Sequence, residues 1–323
     1  MGMMGDWVAR MLGLETRGML RRILSEETDE DGALSIEQLS RTGHRRKAIV
    51  ARGDRRYVCH LTLRPGYCRM LAKLHELARR REIPVAPVLE LGTDWGRGVP
   101  VQYLVLGWMP GSPCDDRIRL TRAHLRDLGR ILGRLHSISS DEWDAAGTPA
   151  PAPIHGTEAI RTAHSSAIRM LSELEGDRSV ETVEQSARWM REHGAFLDSI
   201  DRFHLLHGDP HGNNVVVSGS DLALIDTDQM TFGFAPFELF RCLLANYTEL
   251  ERGRQRTFLR GYREEVNGRI WARWDEHRAY AAAAAFLRLG EQKRIRSRTL
   301  PEGEKRAFNR RAAAACWKAF RRI

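Results

Sequence analysis

The chain has 323 residues, of which 42% are hydrophobic and 29% are charged, a balance typical of a globular protein and not of a disordered chain. No apolar stretch approaches the roughly 20 residues that a membrane-spanning helix needs, and the amino terminus lacks the pattern of a secretory signal. The five cysteines are widely spaced, which argues against a disulfide framework and a zinc site and favours a cytoplasmic protein.

The net charge of +9 comes from the end of the chain. Residues 269–323 contain fifteen Lys/Arg against five Asp/Glu, and the rest of the chain is close to neutral. Two interpretations of this segment stay open, namely a terminal helix with a solvated basic face and a helix that contacts an anionic membrane surface. No nucleic-acid-reading module accompanies the charge, so no nucleic-acid partner is expected.

Residues 1–30 are predicted to contain an amphipathic helix. Its apolar positions recur at helical spacing and are Trp7, Val8, Met11, Leu12, Met19, Leu20 and Ile23. We expect this apolar face to pack on its own domain. The alternative is an interfacial helix whose arginines meet anionic headgroups.

Residues 31–109 are predicted to form a small lobe. Three short segments rich in β-branched and aromatic residues, separated by turns that contain glycine, predict an antiparallel meander. A helix over 67–81 follows, and then two more strands, at 83–92 and 101–111. Five strands with one helix between the third and the fourth make a compact α+β unit.

Residues 110–267 are predicted to form a larger, mainly helical lobe, and 268–323 a basic helical extension of it. Thr121 is the N-cap candidate of the first helix. Further helices are predicted at about 158–175 and 179–199 and from 237 onward. Between them, "NNVVV" and "LALID" are predicted to pair as a hairpin around the turn "SGSD".

A dense group of polar side chains occupies "LLHGDPHGNN", residues 205–214, and the hairpin that follows. Asp209 is followed five residues later by Asn214, and Asp226 comes after the hairpin. Carboxylate and amide oxygens are ligands that Mg²⁺ accepts, with phosphate oxygens and water completing its shell. An aspartate near a substrate hydroxyl can accept its proton while a metal neutralises phosphate charge. The pattern therefore indicates phosphoryl transfer; the alternative is a polar turn in which Asp and Asn cap backbone amides.

The order of these residues is also that of a kinase catalytic loop followed by its metal-binding aspartate. The pattern "HGDPHGNN…LID" resembles the aminoglycoside phosphotransferase and lipopolysaccharide-core kinase branch of the protein-kinase-like superfamily. Four other segments resemble the same branch in the same order, over about residues 36–265: "VARGDRRYVCHL", "REIPVAPVLELG", "YLVLGWMPG" and "LGRILGRLHS". The resemblance implies a bilobal α+β fold with a five-stranded antiparallel N-lobe and a larger helical C-lobe.

The resemblance also implies cofactors and residue roles. ATP and Mg²⁺ would be the cofactors, Asp209 the catalytic carboxylate, and Asn214 and Asp226 the metal ligands. His207 would brace the loop, and His211 would position the substrate or the loop itself.

The segment "YLVLGWMPG" resembles the family's hinge and would contribute Leu106 and Trp108 to the nucleotide site. Asp228, two residues after the metal aspartate, supports the metal site, contacts the substrate, or simply ends the hairpin.

The chain departs from the family at the cation that holds the nucleotide phosphates. The third strand carries His60 where the family has a Lys or Arg, and an ordinary histidine is only partly charged at neutral pH. The family's helix glutamate falls near Met70 or Leu71, and Glu76 lies about one and a half turns further on.

Three substitutes for the missing cation stay open. Lys47 on the second strand, Arg64 at the end of the third strand, or Mg²⁺ alone would hold the phosphates. A pseudokinase with weak nucleotide binding stays open beside them.

The preferred hypothesis is an ATP- and Mg²⁺-dependent phosphotransferase that acts on a hydroxyl of a sugar-containing substrate, such as a lipid-linked lipopolysaccharide core. The alternatives are an aminoglycoside-type antibiotic phosphotransferase and a pseudokinase binding module. The expected partners are a nucleotide and a hydroxylated small-molecule or glycolipid acceptor, with a peripheral contact at the inner face of the membrane as an option.

A cationic antibiotic needs an acidic site, and the segment before the catalytic loop offers Glu173, Glu175, Asp177, Glu181 and Glu184.

Overall fold

The computed structural model describes residues 18–24, 34–42, 45–96, 99–114, 120–143, 202–239 and 252–272, together with the single residues 188, 192, 242, 301 and 304. Several predictions fall outside the described residues. They are the first part of the amino-terminal helix, nearly all of the helices predicted at 158–175 and 179–199, the acidic residues 173–184 and almost all of the basic extension.

Five antiparallel strands form the N-terminal sheet, in the order β1-β2-β3-β5-β4. The strands are β1 (Leu34–Thr42), β2 (Arg45–Arg52), β3 (Arg55–Thr62), β4 (Val88–Gly96) and β5 (Val99–Gly107). One helix, α2 (Tyr67–Arg80), follows β3 in the chain and precedes β4. The predicted five-stranded antiparallel sheet with a helix between its third and fourth strands is therefore confirmed.

Helix α1, residues 18–24, covers one face of this sheet. Its residues Met19, Leu20, Ile23 and Leu24 are buried against apolar side chains of the strands. Those partners include Ala48, Val50, Tyr57, Cys59, Leu61, Val101 and Val105. The described part of the amino-terminal helix thus packs its apolar residues on the protein's own sheet. Its Arg22 points outward to Asp94, with the Nη2 and Oδ2 atoms 2.6 Å apart.

The segment 83–92 was predicted as a strand, but β4 begins only at Val88 and continues to Gly96. Pro84 and Pro87 explain the late start, because proline lacks the N–H that a sheet ladder needs. The start of this strand prediction was therefore wrong by five residues.

The proline segment connects the sheet to the larger lobe. The Leu224 N–H donates to the Pro84 carbonyl at 2.8 Å, and Val85 forms a parallel bridge with Leu224. The Gly107 N–H donates to the Pro87 carbonyl at 2.9 Å, at the end of β5. The chain thus joins the two lobes through the residues after β5 and also through this segment.

The described part of the C-lobe consists of helices and several short strands. The helices are α3 (Arg122–Ser137), α4 (Arg252–Glu265) and α5 (Gly268–Ala272). The strands are β6 (Ser112–Pro113), β7 (His204–Leu206), β8 (Val215–Ser218), β9 (Asp221–Leu224) and β10 (Thr231–Gly233). The predicted N-cap is confirmed, since Thr121 Oγ1 accepts from the His124 N–H at 3.1 Å. The predicted hairpin is confirmed as β8 paired with β9.

Helices α3 and α4 approach each other closely through glycines. A Cβ placed on Gly129 would meet the Phe258 carbonyl oxygen, and one on Gly261 would meet the Arg126 carbonyl oxygen, both well inside van der Waals contact. Glycine is needed at these positions because the backbone of the facing helix occupies the space that a side chain would fill. Within the described residues, no helix is long and apolar enough to cross a membrane.

Candidate active site

A buried carboxylate anchors the start of the polar loop between β7 and β8. Glu238 is 1% exposed, and its two oxygens accept from the backbone N–H groups of His207 at 2.9 Å and Gly208 at 2.6 Å. His136 Nε2 lies 3.0 Å from the same carboxylate, and its Nδ1 lies 2.9 Å from the Tyr262 hydroxyl.

Burial alone would raise the pKa of Glu238, but the hydrogen bond from His136 and the neighbouring donors outweigh it and lower the pKa to about 2. The carboxylate is therefore ionised at neutral pH and fixes the start of the loop. Sequence reasoning missed Glu238. The signal was a lone acid within the apolar run "FAPFELF", since acids are rarely buried unless they are paired.

His207 joins the loop to the hairpin. Its ring is fully buried, with Nε2 2.9 Å from the Ile225 carbonyl and Nδ1 accepting from the Asp209 N–H at 3.3 Å. Burial lowers the pKa of His207, so the ring is neutral at pH 7. These contacts suit the bracing role that we expect for this residue.

Asp209, His211 and Asn214 are brought together at the mouth of the loop. Asn214 Nδ2 donates to the Asp209 carbonyl at 2.9 Å and lies 3.3 Å from His211 Nε2. His211 Nε2 is also 3.4 Å from Asp209 Oδ2. Because the amide nitrogen of Asn214 is committed to the loop, its Oδ1 is the atom that remains for a cation.

Asp226 follows β9 directly and lies beside the loop. The Ile225 N–H donates to the Asn214 carbonyl at 2.9 Å, which fixes the hairpin against the loop. Asp226 has the left-handed conformation, with φ 59° and ψ 48°, which is uncommon for a residue other than glycine. Its side chain is 45% exposed, so the carboxylate faces the cleft between sheet and loop.

Lys47 is the cation that the fold brings to Asp226. Its Nζ pairs with Asp226 Oδ1, and it lies 3.5 Å from Asp228 Oδ1. His60 stands directly opposite Lys47 in the β2–β3 register, and its Nε2 is 4.0 Å from Asp228 Oδ1. Burial lowers the pKa of His60 to about 4, so it carries no charge at neutral pH. Arg64, the other candidate cation, is exposed at the end of β3.

Asp228 is ionised within this cluster. Burial opposes its ionisation, but interaction with the His60 ring and with the charges of Lys47 and Arg45 outweighs burial, and the pKa of Asp228 is lowered below its ordinary value. The sequence left its role open among three possibilities; the fold places it beside Lys47.

Helix α2 contacts the segment after Asp226 through two polar residues that sequence reasoning missed. His75 Nε2 lies 2.7 Å from Thr227 Oγ1, and its Nδ1 lies 2.9 Å from the Ala86 carbonyl. The Tyr67 hydroxyl donates to the Asp228 carbonyl at 3.1 Å. The available signal was weak, because a single histidine on the apolar face of a helix is usually a satisfied core residue.

The two predicted hinge residues lie at the junction of the lobes. Leu106 is 2% exposed in the core that runs from α2 into the helical lobe. Trp108 follows β5, and the Arg56 guanidinium lies 5.5 Å from its ring centroid. Neither side chain belongs to the charged cluster around Asp226.

The oxygen donors fit a magnesium–nucleotide complex better than a free metal. Asp226 contributes one carboxylate and Asn214 one amide oxygen. In the described part of the chain, no group of three or more His, Cys, Asp or Glu could hold a metal ion. A cation at this place would therefore take its other ligands from phosphate and water, as Mg²⁺ commonly does.

Residues 35–288 match the model of the APH phosphotransferase enzyme family. The chain therefore belongs to this family and is a kinase-type enzyme that transfers phosphate to a hydroxyl group. A search among curated proteins finds no match.

Comparison with solved structures finds the same fold in several kinases. The amicoumacin kinase hAmiN, solved with AMP-PNP, Ca²⁺ and Ami, is 13% identical with a TM-score of 0.63, over 92% of this chain and 96% of that one. A microcompartment-associated aminopropanol kinase is 17% identical with a TM-score of 0.58, over 94% and 96% of the chains. A putative aminoglycoside phosphotransferase from Ralstonia eutropha is 13% identical with a TM-score of 0.58, over 94% and 97%. These likenesses confirm the bilobal kinase-like fold.

Proposed function

We propose that the protein transfers the terminal phosphate of ATP, in the presence of Mg²⁺, to a hydroxyl group of a sugar-containing acceptor. The observation that carries this proposal is the convergence of Asp209, Asn214 and Asp226 from one loop and one hairpin beside Lys47. Family membership supports the reaction type.

Each of these residues has a distinct task in the proposal. Asp209 orients the acceptor hydroxyl and accepts its proton as the new phosphate bond forms. Asn214 Oδ1 and Asp226 would hold Mg²⁺, which would supply neutralisation of the phosphate charge. Lys47 would contact the phosphates from the sheet, and the segment that contains Leu106 and Trp108 would face the nucleotide base. His207 and Glu238 keep the loop in place.

The acceptor is proposed to be lipid-linked, with a lipopolysaccharide core as the example. The basic residues of 269–323 support this choice, because Lys/Arg clusters favour anionic membrane surfaces. The protein would then work in the cytoplasm, peripherally at the inner face of the membrane. Binding to vesicles that contain anionic lipid, with loss of binding on deletion of residues 300–323, tests this part.

An antibiotic acceptor is the second candidate. It is favoured by the likeness to the amicoumacin kinase and to the putative aminoglycoside phosphotransferase. Drug susceptibility of cells that express the chain separates this candidate from the glycolipid. A catalytically silent module is the third candidate, and it would show a thermal shift with ATP but no transfer to any acceptor.

The central test is Asp226→Asn. Asparagine keeps the shape of the side chain and tolerates the left-handed backbone of this position better than alanine. Loss of a direct metal ligand should lower phosphate transfer at least about a hundredfold, and the Mg²⁺-dependent part of ADP affinity should disappear in calorimetric titrations. The matched control is Asp221→Asn, an exposed aspartate at the start of β9, which should leave both quantities unchanged. Persistent Mg²⁺-dependent transfer in Asp226→Asn would exclude the metal assignment.

A further inference from the structure

The lysine of this site needs a partner other than the usual one. In protein kinases the phosphate-binding lysine on β3 is held by a glutamate on the following helix. Here β3 carries the neutral His60 at that place. The acid of α2, Glu76, forms ion pairs with Lys73 and Arg80 at the helix surface, with 47% of its side chain exposed. It is therefore committed elsewhere.

Two carboxylates lie near Lys47, and they are not equivalent. Lys47 Nζ pairs with Asp226 and is 3.5 Å from Asp228 Oδ1. Asp226 is the proposed metal ligand, so its charge is shared with the cation once a nucleotide is bound. Asp228 is then the anion that remains for the lysine.

We infer that Asp228 is the positioning residue of Lys47, and that the ion pair usually formed between β3 and its neighbouring helix is formed here between β2 and the segment after Asp226. This inference rests on the proposed function, since it names a further residue of the same site. Lys47 contacts the phosphates, whereas Asp228 acts through Lys47.

The surroundings of Asp228 support this role, because its backbone is fixed from the side of the N-lobe. The Tyr67 hydroxyl donates to the Asp228 carbonyl at 3.1 Å, and Arg45 Nη1 donates to the same oxygen at 3.4 Å. The preceding residue, Thr227, is buried and bonded to His75. Helix α2 thus fixes the carboxylate by its backbone instead of supplying a carboxylate itself.

The cross-strand register explains how a lysine on β2 can take the place of one on β3. Lys47 and His60 are direct partners in the β2–β3 pairing, so their side chains leave the same face of the sheet. Residues paired in this way lie about 5 Å apart at their Cβ atoms, a distance that a long lysine side chain spans. A cation on either strand therefore reaches the same phosphates and the same Asp228.

The test is a double-mutant cycle of Asp228→Asn and Lys47→Met in the full chain, with kcat/KM for ATP as the readout. Asp228→Asn keeps the size of the side chain and should lower kcat/KM on the order of tenfold, as expected for loss of a charge-assisted hydrogen bond. In the Lys47→Met background the same substitution should have little further effect, because its target is gone. Lys73→Met serves as the control for loss of a lysine outside the cluster and should leave kcat/KM unchanged.

A relocation variant provides an independent check. His60→Lys added to Lys47→Met should restore at least part of the lost kcat/KM, since the cation returns to the paired position on β3. Equal losses from Asp228→Asn with and without Lys47, or no rescue by His60→Lys in a folded variant, would overturn the inference. Melting temperatures identify any variant that fails to fold, and Lys47→Gln, which also removes the charge, then replaces Lys47→Met in the cycle.

Failure of the proposed function gives a different result. If the parent chain transfers no phosphate, the same cycle is measured as the affinity for ADP by calorimetry, with and without Mg²⁺. Non-additive changes in affinity would support the Lys47–Asp228 pair even in an inactive protein. Additive changes would reject the Lys47–Asp228 pair, independently of the missing phosphate transfer.

Discussion

Glu238 illustrates how much one buried charge contributes to this site. It accepts from two loop N–H groups and from His136. Glu238→Gln replaces one of its oxygens with an amide nitrogen, which would face an N–H donor. We expect a loss of about 2–4 kcal/mol in the free energy of unfolding and a fall in kcat, because the loop that carries Asp209 loses its anchor. Urea denaturation and steady-state kinetics measure the two effects.

The control for Glu238→Gln is Glu264→Gln, which removes a carboxylate bonded to Arg126 and Arg130 at the surface of α3 and α4. Because solvent screens an exposed ion pair, this change should affect stability much less and kcat not at all. An equal loss of stability in both variants would show that burial is not what gives Glu238 its importance.

Single residues also mark the limit of what the sequence predicts. The spacing of Asp209, Asn214 and Asp226 is a local pattern, and it predicts a site at the loop and hairpin that carry these residues, while their roles stay a prediction. The choice between Lys47 and Arg64 as the cation was not open to the same reasoning. It depends on the register of β2 against β3, and many registers keep the same alternation of apolar and polar residues.

At the scale of elements, the contact between α3 and α4 gives a prediction. Gly129→Ala would place a methyl group against the Phe258 carbonyl of the facing helix. The helices must then separate, so we expect a loss of at least about 1–3 kcal/mol in the free energy of unfolding. Gly253→Ala in α4 is the matched control, because no atom lies within 4 Å of its added Cβ. That variant should be neutral or more stable by up to about 1 kcal/mol, and urea denaturation compares the two.

The sequence predicted the ends of elements well where a neighbouring cap or turn residue determines them. Thr121 begins α3 because its hydroxyl satisfies a free N–H, and the turn "SGSD" joins β8 to β9. The start of β4 was predicted less accurately. The apolar residues of the segment 83–87 favour a strand, whereas its prolines at 84 and 87 argue against one, and the prediction followed the apolar residues. The segment 83–87 takes its conformation from a pairing with Leu224, which is far away in the sequence.

For the whole molecule, the buried histidines predict loss of stability in mild acid. Burial lowers the pKa of His75 to about 4, below its value of about 6.5 in an unfolded chain. Between these values the unfolded chain binds more protons than the folded one, so stability falls as the pH is lowered from 7 to 5. His75 alone should account for about 1–2 kcal/mol of this loss.

The matched variant is His75→Gln, which should be less stable at pH 7 because two hydrogen bonds are weakened. Its stability should also depend less on pH between 7 and 5, since the titrating ring is gone. Urea denaturation at both pH values measures the difference, and an unchanged slope would contradict the assignment of His75 as a buried neutral ring.

Helix α2 is fastened to the residues after Asp226 by His75 and Tyr67 and to the proline segment by the Ala86 carbonyl. Many protein kinases are switched on and off by moving the equivalent helix. Here such a movement would break all of these hydrogen bonds together. We therefore expect an enzyme that is not switched by movement of α2.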